Sequence, residues 1–203
     1  MERPHRPSRP REPPDLDRVA QFEFEFDFDG RLSTRRLTTE RLTLREPGNG
    51  DEPLLVALRT DENVRRYLGG ALDVANATLL AEVNISRPDG LFVAERRDTD
   101  ESIGLVLLHP GHGGTEVSYQ FLPSSWKQGF ASEAVRCAID HAFGSKEIDE
   151  LIAVTQTANE PSRRLLERLG MTASEQFEEF GEQQTLYRLR RPLRTEAPRS
   201  ETS

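Results

Sequence analysis

The sequence has little of what would place it among disulfide-bonded or membrane-spanning proteins. It holds one cysteine, Cys137, in 203 residues, so no disulfide can form within the chain. No apolar run approaches the roughly 18 residues that a membrane-spanning helix needs. The opening residues, M-E-R-P-H-R-P-S-R-P, lack the apolar centre of a secretory signal. We therefore expect a cytoplasmic protein without a membrane partner.

Clustered basic residues and metal-ligand patterns are also scarce. The chain has 27 Lys and Arg against 35 Asp and Glu, a net charge of -8, and the basic residues are mostly interleaved with acids. A nucleic acid is therefore not expected as a partner, because phosphate backbones are bound by clustered positive charge. His109 and His112 lack Cys, Asp or Glu at ligand spacing, so we expect a solvated turn and no metal. Cys137 is interpreted as a buried small side chain rather than a nucleophile.

Composition divides the chain into one core domain, residues 35–192, and flanking segments. Residues 1–18 are rich in Arg and Pro and residues 193–203 are mostly polar, so both are expected to be disordered tails. Residues 19–34, the Phe-rich segment, alternate Phe with Glu or Asp in Q-F-E-F-E-F-D-F-D-G, which predicts a strand. This strand could cover apolar surface of the domain or dock a partner, a second copy in a homodimer included. The sequence does not separate these alternatives.

The most informative stretch is W-K-Q-G-F-A-S-E-A, residues 126–134, which predicts a glycine-containing turn that leads into a helix. The helix is expected because apolar residues recur at helical spacing on one face, at Ala131, Ala134, Val135, Ala138, Ile139, Ala142 and Phe143. The preceding T-E-V-S-Y-Q-F-L alternates like a half-buried strand that ends before Pro123. A turn before a helix directs several amides and the positive end of the helix dipole at one point, so it predicts an anion site.

The remaining patterns predict a mixed order of strands and helices. Residues 36–45 are expected as the first strand, followed by helices over about 51–68 and 74–85. Three antiparallel strands should follow, and a later buried strand, a second helix and a closing hairpin should complete the domain. Asn159 is expected to cap the second helix, with Pro161 in its first turn and Gly170 at its left-handed end.

These segments, in this order and spacing, resemble the GCN5-related N-acetyltransferases (GNAT). Within that family the chain is most similar to ribosomal-protein alanine N-acetyltransferases and their small-molecule relatives, over about Leu37 to Arg190. The resemblance implies an α+β fold: a twisted, mostly antiparallel sheet of six to seven strands with one splayed pair and helices on both faces. The Phe-rich segment would add an N-terminal strand.

The resemblance implies acetyl-CoA as co-substrate and no metal. Amides from Lys127 to Ser132 would hold the pyrophosphate, and the cofactor-binding set implied at the turn is Trp126, Lys127, Gln128, Gly129, Phe130, Ala131 and Ser132. The pantetheine arm would pair with free backbone groups near Phe121 and Leu122, both taken as cofactor-binding residues, and an amide near Phe121 would polarise the thioester. Asn159 would contact the arm, cap the helix, or do both.

The resemblance also implies the catalytic residues. Glu116 is the expected general base, acting through water, although a solvated or salt-bridged strand carboxylate is the alternative. Many relatives use as general acid a tyrosine at the position of Leu166, which leaves Ser162 as the substitute. An ordinary first-turn serine is the alternative for Ser162.

The acceptor is the least determined part of the sequence interpretation. The closing hairpin is acidic, which favours a cationic acceptor such as a protein N-terminus or an amine-bearing small molecule; its acids are Glu175, Glu178, Glu179 and Glu182. A solvated acidic face is the plainer alternative. Two further hypotheses are a non-catalytic acyl-CoA-binding module and a transferase that uses a longer acyl-CoA.

Overall fold

The computed structural model describes residues 36–145 and 147–192. Within these ranges one sheet has eight strands in the order β1-β2-β3-β4-β5-β6-β8-β7. The strands are β1 (Leu37–Thr38), β2 (Leu42–Arg45), β3 (Leu91–Arg96), β4 (Ser102–Gly111), β5 (Gly114–Phe121), β6 (Glu150–Gln156), β7 (Thr172–Glu179) and β8 (Glu182–Arg190). The helices are α1 (Glu52–Thr60), α2 (Glu62–Arg65), α3 (Val74–Ser86), α4 (Phe130–Gly144) and α5 (Glu160–Arg168). The predicted tails and the Phe-rich segment lie outside the described residues.

The α+β fold class is confirmed, with one difference at the N-terminal edge. Residues 36–45 form two antiparallel strands instead of one, with Leu37 opposite Leu44, so the sheet has eight strands where six to seven were expected. The reversal is fixed locally, because the Thr39 amide donates to the Leu42 carbonyl and the Thr39 hydroxyl accepts from the Leu42 amide. An alternating pattern alone does not distinguish one strand from two short ones.

Helices cover both faces of the sheet. On one face α4 and α5 pack over the core strands, and this cluster includes Phe92, Val117, Val135, Leu166 and Tyr187. On the other face α1 and α3 pack over Leu91, Val93 and Leu105. The alternation along β5 therefore divides its side chains between two layers, with Val117 and Phe121 in the first cluster. No helix in the described ranges is long and apolar enough to cross a membrane.

The expected splay lies between β5 and β6. These parallel strands pair only at Thr115 with Leu151 and at Glu116 with Ile152. Beyond Glu116, β5 continues to Phe121 along β4 alone, while β6 continues along β8. One edge of β5 is thus left without a partner strand among the described residues, which opens a wedge in an otherwise continuous sheet.

Candidate active site

The turn before α4 has the backbone geometry of an anion site. Lys127 and Gly129 both adopt left-handed conformations, with φ of 61° and 84°. Alternation of left-handed and helical residues makes successive amides converge, and the N-terminus of α4 adds its positive dipole end at the same place. In the described part of the chain, none of the amides from Lys127 to Ser132 donates to a protein acceptor. Six consecutive donors are therefore available to an anion.

Arg41 holds this turn in place from the start of β2. Its guanidinium donates to the Gln128 carbonyl at 2.9 Å and pairs with the Glu133 carboxylate at 2.6 Å. The same group lies over the Phe130 ring, 4.5 Å from its centroid. Burial would raise the pKa of Glu133, but hydrogen bonds from Thr39 and from the Arg41 amide and guanidinium lower it on balance. One side chain thus fixes the turn and the first turn of α4 together.

Backbone groups at the end of β5 are more occupied than expected. The Phe121 carbonyl accepts from the Trp126 indole at 2.7 Å, and the Leu122 amide donates to the Ile103 carbonyl at 2.9 Å. The Leu122 carbonyl accepts from both the amide and the hydroxyl of Ser125. The Phe121 carbonyl and both backbone groups of Leu122 are thus engaged within the protein, and the cofactor contacts expected at Phe121 and Leu122 stay predictions. The edge of β5 beyond Glu116 has no partner strand among the described residues.

Three polar side chains meet at the start of α5, two from the helix start and one from β5. Asn159 caps the helix, since its side-chain oxygen accepts from the Ser162 amide at 3.3 Å. The Ser162 hydroxyl lies 2.8 Å from the Tyr119 hydroxyl, which reaches it from β5. Leu166 is 1% exposed in the core, so that position offers no proton donor. The helix cap predicted for Asn159 is confirmed, and its cofactor contact stays a prediction.

Glu116 is buried beside the turn that joins β4 and β5. Its Oε2 accepts from His112 Nδ1 at 2.9 Å, and no described residue donates to its Oε1. His112 also lies 3.6 Å from Glu179 and stacks at an angle on Phe177. The hydrogen bond to Glu116 raises the pKa of His112 above its usual value, although burial acts in the opposite direction. The solvated turn expected at His112 is thus an ordered contact between two hairpins.

The acids of the closing hairpin do not all face the same partner. Glu175 pairs with Arg188 at 3.1 Å, and Glu179 approaches His112. Glu178 and Glu182 are exposed, and Glu179 lies directly opposite Glu182 at the hairpin tip. Like charges opposite each other are unfavourable unless a cation is near. Within the described residues, no group of three His, Cys, Asp or Glu side chains could hold a metal ion.

Three residues of this site were missed by sequence reasoning. Tyr119 was assigned only to the apolar face of its strand, Arg41 only to a strand, and His112 only to a solvated turn. Each acts through a contact with another element, and the Arg41 contacts join residues 87 and 92 positions apart. The local signal for Tyr119 is its hydroxyl, because a tyrosine on the buried face of a strand usually has a hydrogen-bond partner for that group.

Comparison with known proteins agrees with this geometry. The family model for the acetyltransferase (GNAT) domain matches residues 41–172. An uncharacterized N-acetyltransferase, YoaA of Bacillus subtilis, is 31% identical over 143 residues, which cover 66% of this chain and 81% of the relative.

Two solved structures share the fold. The spermidine N-acetyltransferase of Vibrio cholerae in complex with CoA and spermine has a TM-score of 0.64 at 21% identity, covering 75% of this chain and 96% of that one. An acetyltransferase of Salmonella typhimurium that modifies the N-terminal serine of a ribosomal subunit protein has a TM-score of 0.65 at 14% identity, covering 76% and 97%.

The family match extends over more than half of the chain and includes the turn, α4 and the start of the closing hairpin. The resemblance to the GNAT family inferred from the sequence is thereby confirmed. The chain belongs to the GNAT family and is an acetyl-CoA-dependent N-acetyltransferase.

Proposed function

We propose that this enzyme transfers the acetyl group of acetyl-CoA to the primary amine of a cationic acceptor by direct attack in a ternary complex. The acceptor is a protein N-terminal amine or an amine-bearing small molecule. The observation that carries the proposal is the run of six unengaged amides from Lys127 to Ser132, at the N-terminus of α4. A pyrophosphate would satisfy these donors and neutralise the dipole end.

The residues of the wedge suit the remaining parts of acetyl-CoA. The unpaired edge of β5 offers backbone groups to the amides of the pantetheine arm, as a strand partner would. Asn159 and Ser162 lie at the far side of that wedge on α5. This arrangement would carry the thioester past the first turn of α5, with the reacting carbon close to Ser162.

The chemistry requires one bond to form and one to break. The acceptor nitrogen attacks the thioester carbon, the C–S bond breaks, and the electron pair goes to sulfur. Glu116 takes the proton of the amine through water at its Oε1, because its Oε2 is occupied by His112. Ser162 donates a hydrogen bond to the departing sulfur, which leaves as the thiolate of CoA. No covalent intermediate on the protein is needed.

Charge supports a cationic acceptor. The exposed Glu178 and Glu182, with Glu179 between them, lie on the hairpin whose Glu179 approaches His112 beside Glu116. The Vibrio cholerae neighbour was solved with spermine and the Salmonella typhimurium neighbour acts on a protein N-terminus, so both acceptor types occur on this fold. We rank the two types equally.

Two measurements test the proposal in order. Titration calorimetry with CoA should give a dissociation constant in the micromolar range, and absence of any heat of binding would overturn the whole assignment. Thiol release from acetyl-CoA should then be followed with spermidine, an aminoglycoside and a basic peptide that begins with alanine. Turnover with one of them identifies the acceptor class. Binding of CoA with no turnover on any of the three, and none with succinyl-CoA, would contradict the transfer step.

A further inference from the structure

Tyr119 lies where the sheet opens, on the part of β5 that has lost its β6 partner. Its ring packs against the apolar core, but its hydroxyl leaves that core and reaches the Ser162 hydroxyl at 2.8 Å, across 43 residues of sequence. A core position could be filled by phenylalanine with the same packing. The hydroxyl is therefore explained only by its contact with α5.

Either hydroxyl of this pair could supply the hydrogen. Burial raises the pKa of Tyr119 to about 12, so its hydroxyl keeps its hydrogen throughout the physiological range. That hydrogen has two acceptors on α5, Ser162 Oγ at 2.8 Å and the Ser162 carbonyl at 3.4 Å. The shorter contact is within the normal range for two hydroxyls and the longer one is not. With its hydrogen in the shorter contact, Tyr119 donates to Ser162 Oγ.

The consequence for Ser162 is that its own hydrogen must point away from Tyr119. A serine in the first turn of a helix often serves the helix end, but here Asn159 caps the helix by accepting from the Ser162 amide. The helix end is therefore capped by Asn159 and not by the Ser162 hydroxyl, whose hydrogen-bond contact among the described side chains is with Tyr119. The Ser162 hydrogen is left for a group in the wedge.

We propose that Tyr119 is a positioning residue that holds the Ser162 hydroxyl as the hydrogen-bond donor to the sulfur of CoA. This inference rests on the proposed function, because it needs the thioester to lie at the start of α5. The chain from Tyr119 through Ser162 to sulfur stabilises the negative charge that develops when the C–S bond breaks. The electron pair stays on sulfur and neither hydroxyl has to ionise.

Leu166 makes such a chain necessary. It lies one helical turn after Ser162 and is buried in the core, so α5 has no phenol of its own at this position. A lone serine hydroxyl rotates freely and is a weak donor. A donor that itself accepts a hydrogen bond is both oriented and strengthened.

The first test needs no acceptor and uses CoA as the probe. The pKa of the CoA thiol bound to the enzyme is read from its ultraviolet thiolate absorbance as the pH is raised. Donation from Ser162 to sulfur lowers this pKa, and Tyr119→Phe should raise it by about 1 unit, because the Ser162 donor to the charged thiolate loses the contact that orients it. Tyr187→Phe is the matched control. It deletes the same atom from another buried tyrosine, whose hydroxyl contacts Glu167 and Arg163.

The second test uses turnover with the best acceptor of the panel and a double-mutant comparison. Tyr119→Phe should lower kcat about tenfold and leave the CoA dissociation constant within about twofold. Because Tyr119 acts through Ser162, adding Tyr119→Phe to Ser162→Ala should cost nothing further. Thermal unfolding of each variant shows that the fold is retained.

The outcomes separate the two proposals. A thiol pKa unchanged by Tyr119→Phe, or losses in the two single variants that multiply in the double variant, would overturn the role of Tyr119 while the acetyltransferase assignment stands. Failure of the wild-type enzyme to bind CoA would remove the proposed function itself, and the inference with it.

Discussion

Two turns of this molecule each contain two residues in left-handed conformations but have different surroundings. The turn before α4 contains Lys127 and Gly129 at φ 61° and 84°, and the turn of the closing hairpin contains Phe180 and Gly181 at 54° and 76°. The first is held by Arg41, which reaches it from β2. A Cβ placed on Gly181 would meet no described atom within 4 Å. A contact from a distant side chain therefore holds the first turn in place, whereas the glycine of the second turn has open space beside it.

The difference corresponds to what each end of the site has to recognise. A pyrophosphate is the same in every acyl-CoA, and backbone amides fixed by a distant side chain bind it without depending on local side chains. In the proposed function the acceptor amine, which differs between enzymes of one fold, is recognised by side chains on an exposed hairpin that can change without disturbing the core. The first end should thus be sensitive to backbone changes and the second to charge.

The largest loss of CoA affinity is expected from a substitution at Gly129, the glycine of the first turn. Gly129→Val forces a branched side chain into a left-handed conformation, with its Cβ 3.3 Å from Arg41 Nη2. Backbone strain of about 1–3 kcal/mol and displacement of Arg41 should weaken CoA binding about 100-fold. Titration calorimetry with CoA measures this loss.

Gly181→Val is the matched control, because it imposes the same type of strain at the other turn. It should leave the CoA dissociation constant within about twofold and change only the KM of the acceptor. Equal losses of CoA affinity in the two variants would show that the turns do not have separate roles.

A smaller loss of CoA affinity is expected from Arg41→Ala. It removes the hydrogen bond to the Gln128 carbonyl and the ion pair with Glu133, so the six amides lose their common orientation. CoA binding should weaken about tenfold with kcat nearly unchanged, since the ground state and the transition state share this contact. Arg36→Ala is the control for charge alone, because Arg36 is 68% exposed and only approaches Glu95. If both arginine variants bind CoA equally well, Arg41 does not position the turn.

These two ends also show what the sequence could and could not predict. The turn, α4 and the cap at Asn159 follow from local chemistry, because glycine, apolar spacing and a capping side chain act within a few residues. The number of strands was wrong at Leu37–Leu44, where a reversal needs only one hydrogen-bonded threonine. Arg41 and Tyr119 gain their roles from contacts between elements, which no spacing along the chain reveals.

A third prediction concerns pH and the contact between the two hairpins. His112 has a raised pKa in the folded protein, mainly from its hydrogen bond to Glu116, and Glu179 also faces it. A raised folded pKa means that the protonated form stabilises the fold. This stabilisation is complete below the ordinary histidine value of about 6.5 and is lost as the pH rises through the folded value.

The variant His112→Asn keeps a hydrogen-bond donor without a titrating charge. Wild type should exceed it in free energy of unfolding by about 1 kcal/mol at pH 5.5–6, and this advantage should shrink by pH 9. Urea denaturation at both pH values measures the difference. An advantage that is the same at both would mean that His112 stays neutral in the fold.

The smallest effect is expected at the exposed tip of the closing hairpin. The direction of the change, in stability and in acceptor KM, distinguishes two explanations of its acids. Glu182→Gln removes one of two carboxylates that lie directly opposite each other, so the hairpin should become slightly more stable, by about 0.2–1 kcal/mol. If Glu182 attracts a cationic acceptor, the same change should raise the KM of spermidine or of the basic peptide about twofold, and high salt should abolish the difference.

Asp140→Asn, on the exposed side of α4, is the control, because it changes the net charge equally and should leave this KM unchanged. A gain in stability together with a loss in acceptor binding would show that this repulsion is retained for recognition. A gain in stability alone would mean that the acids of the hairpin are an ordinary solvated surface.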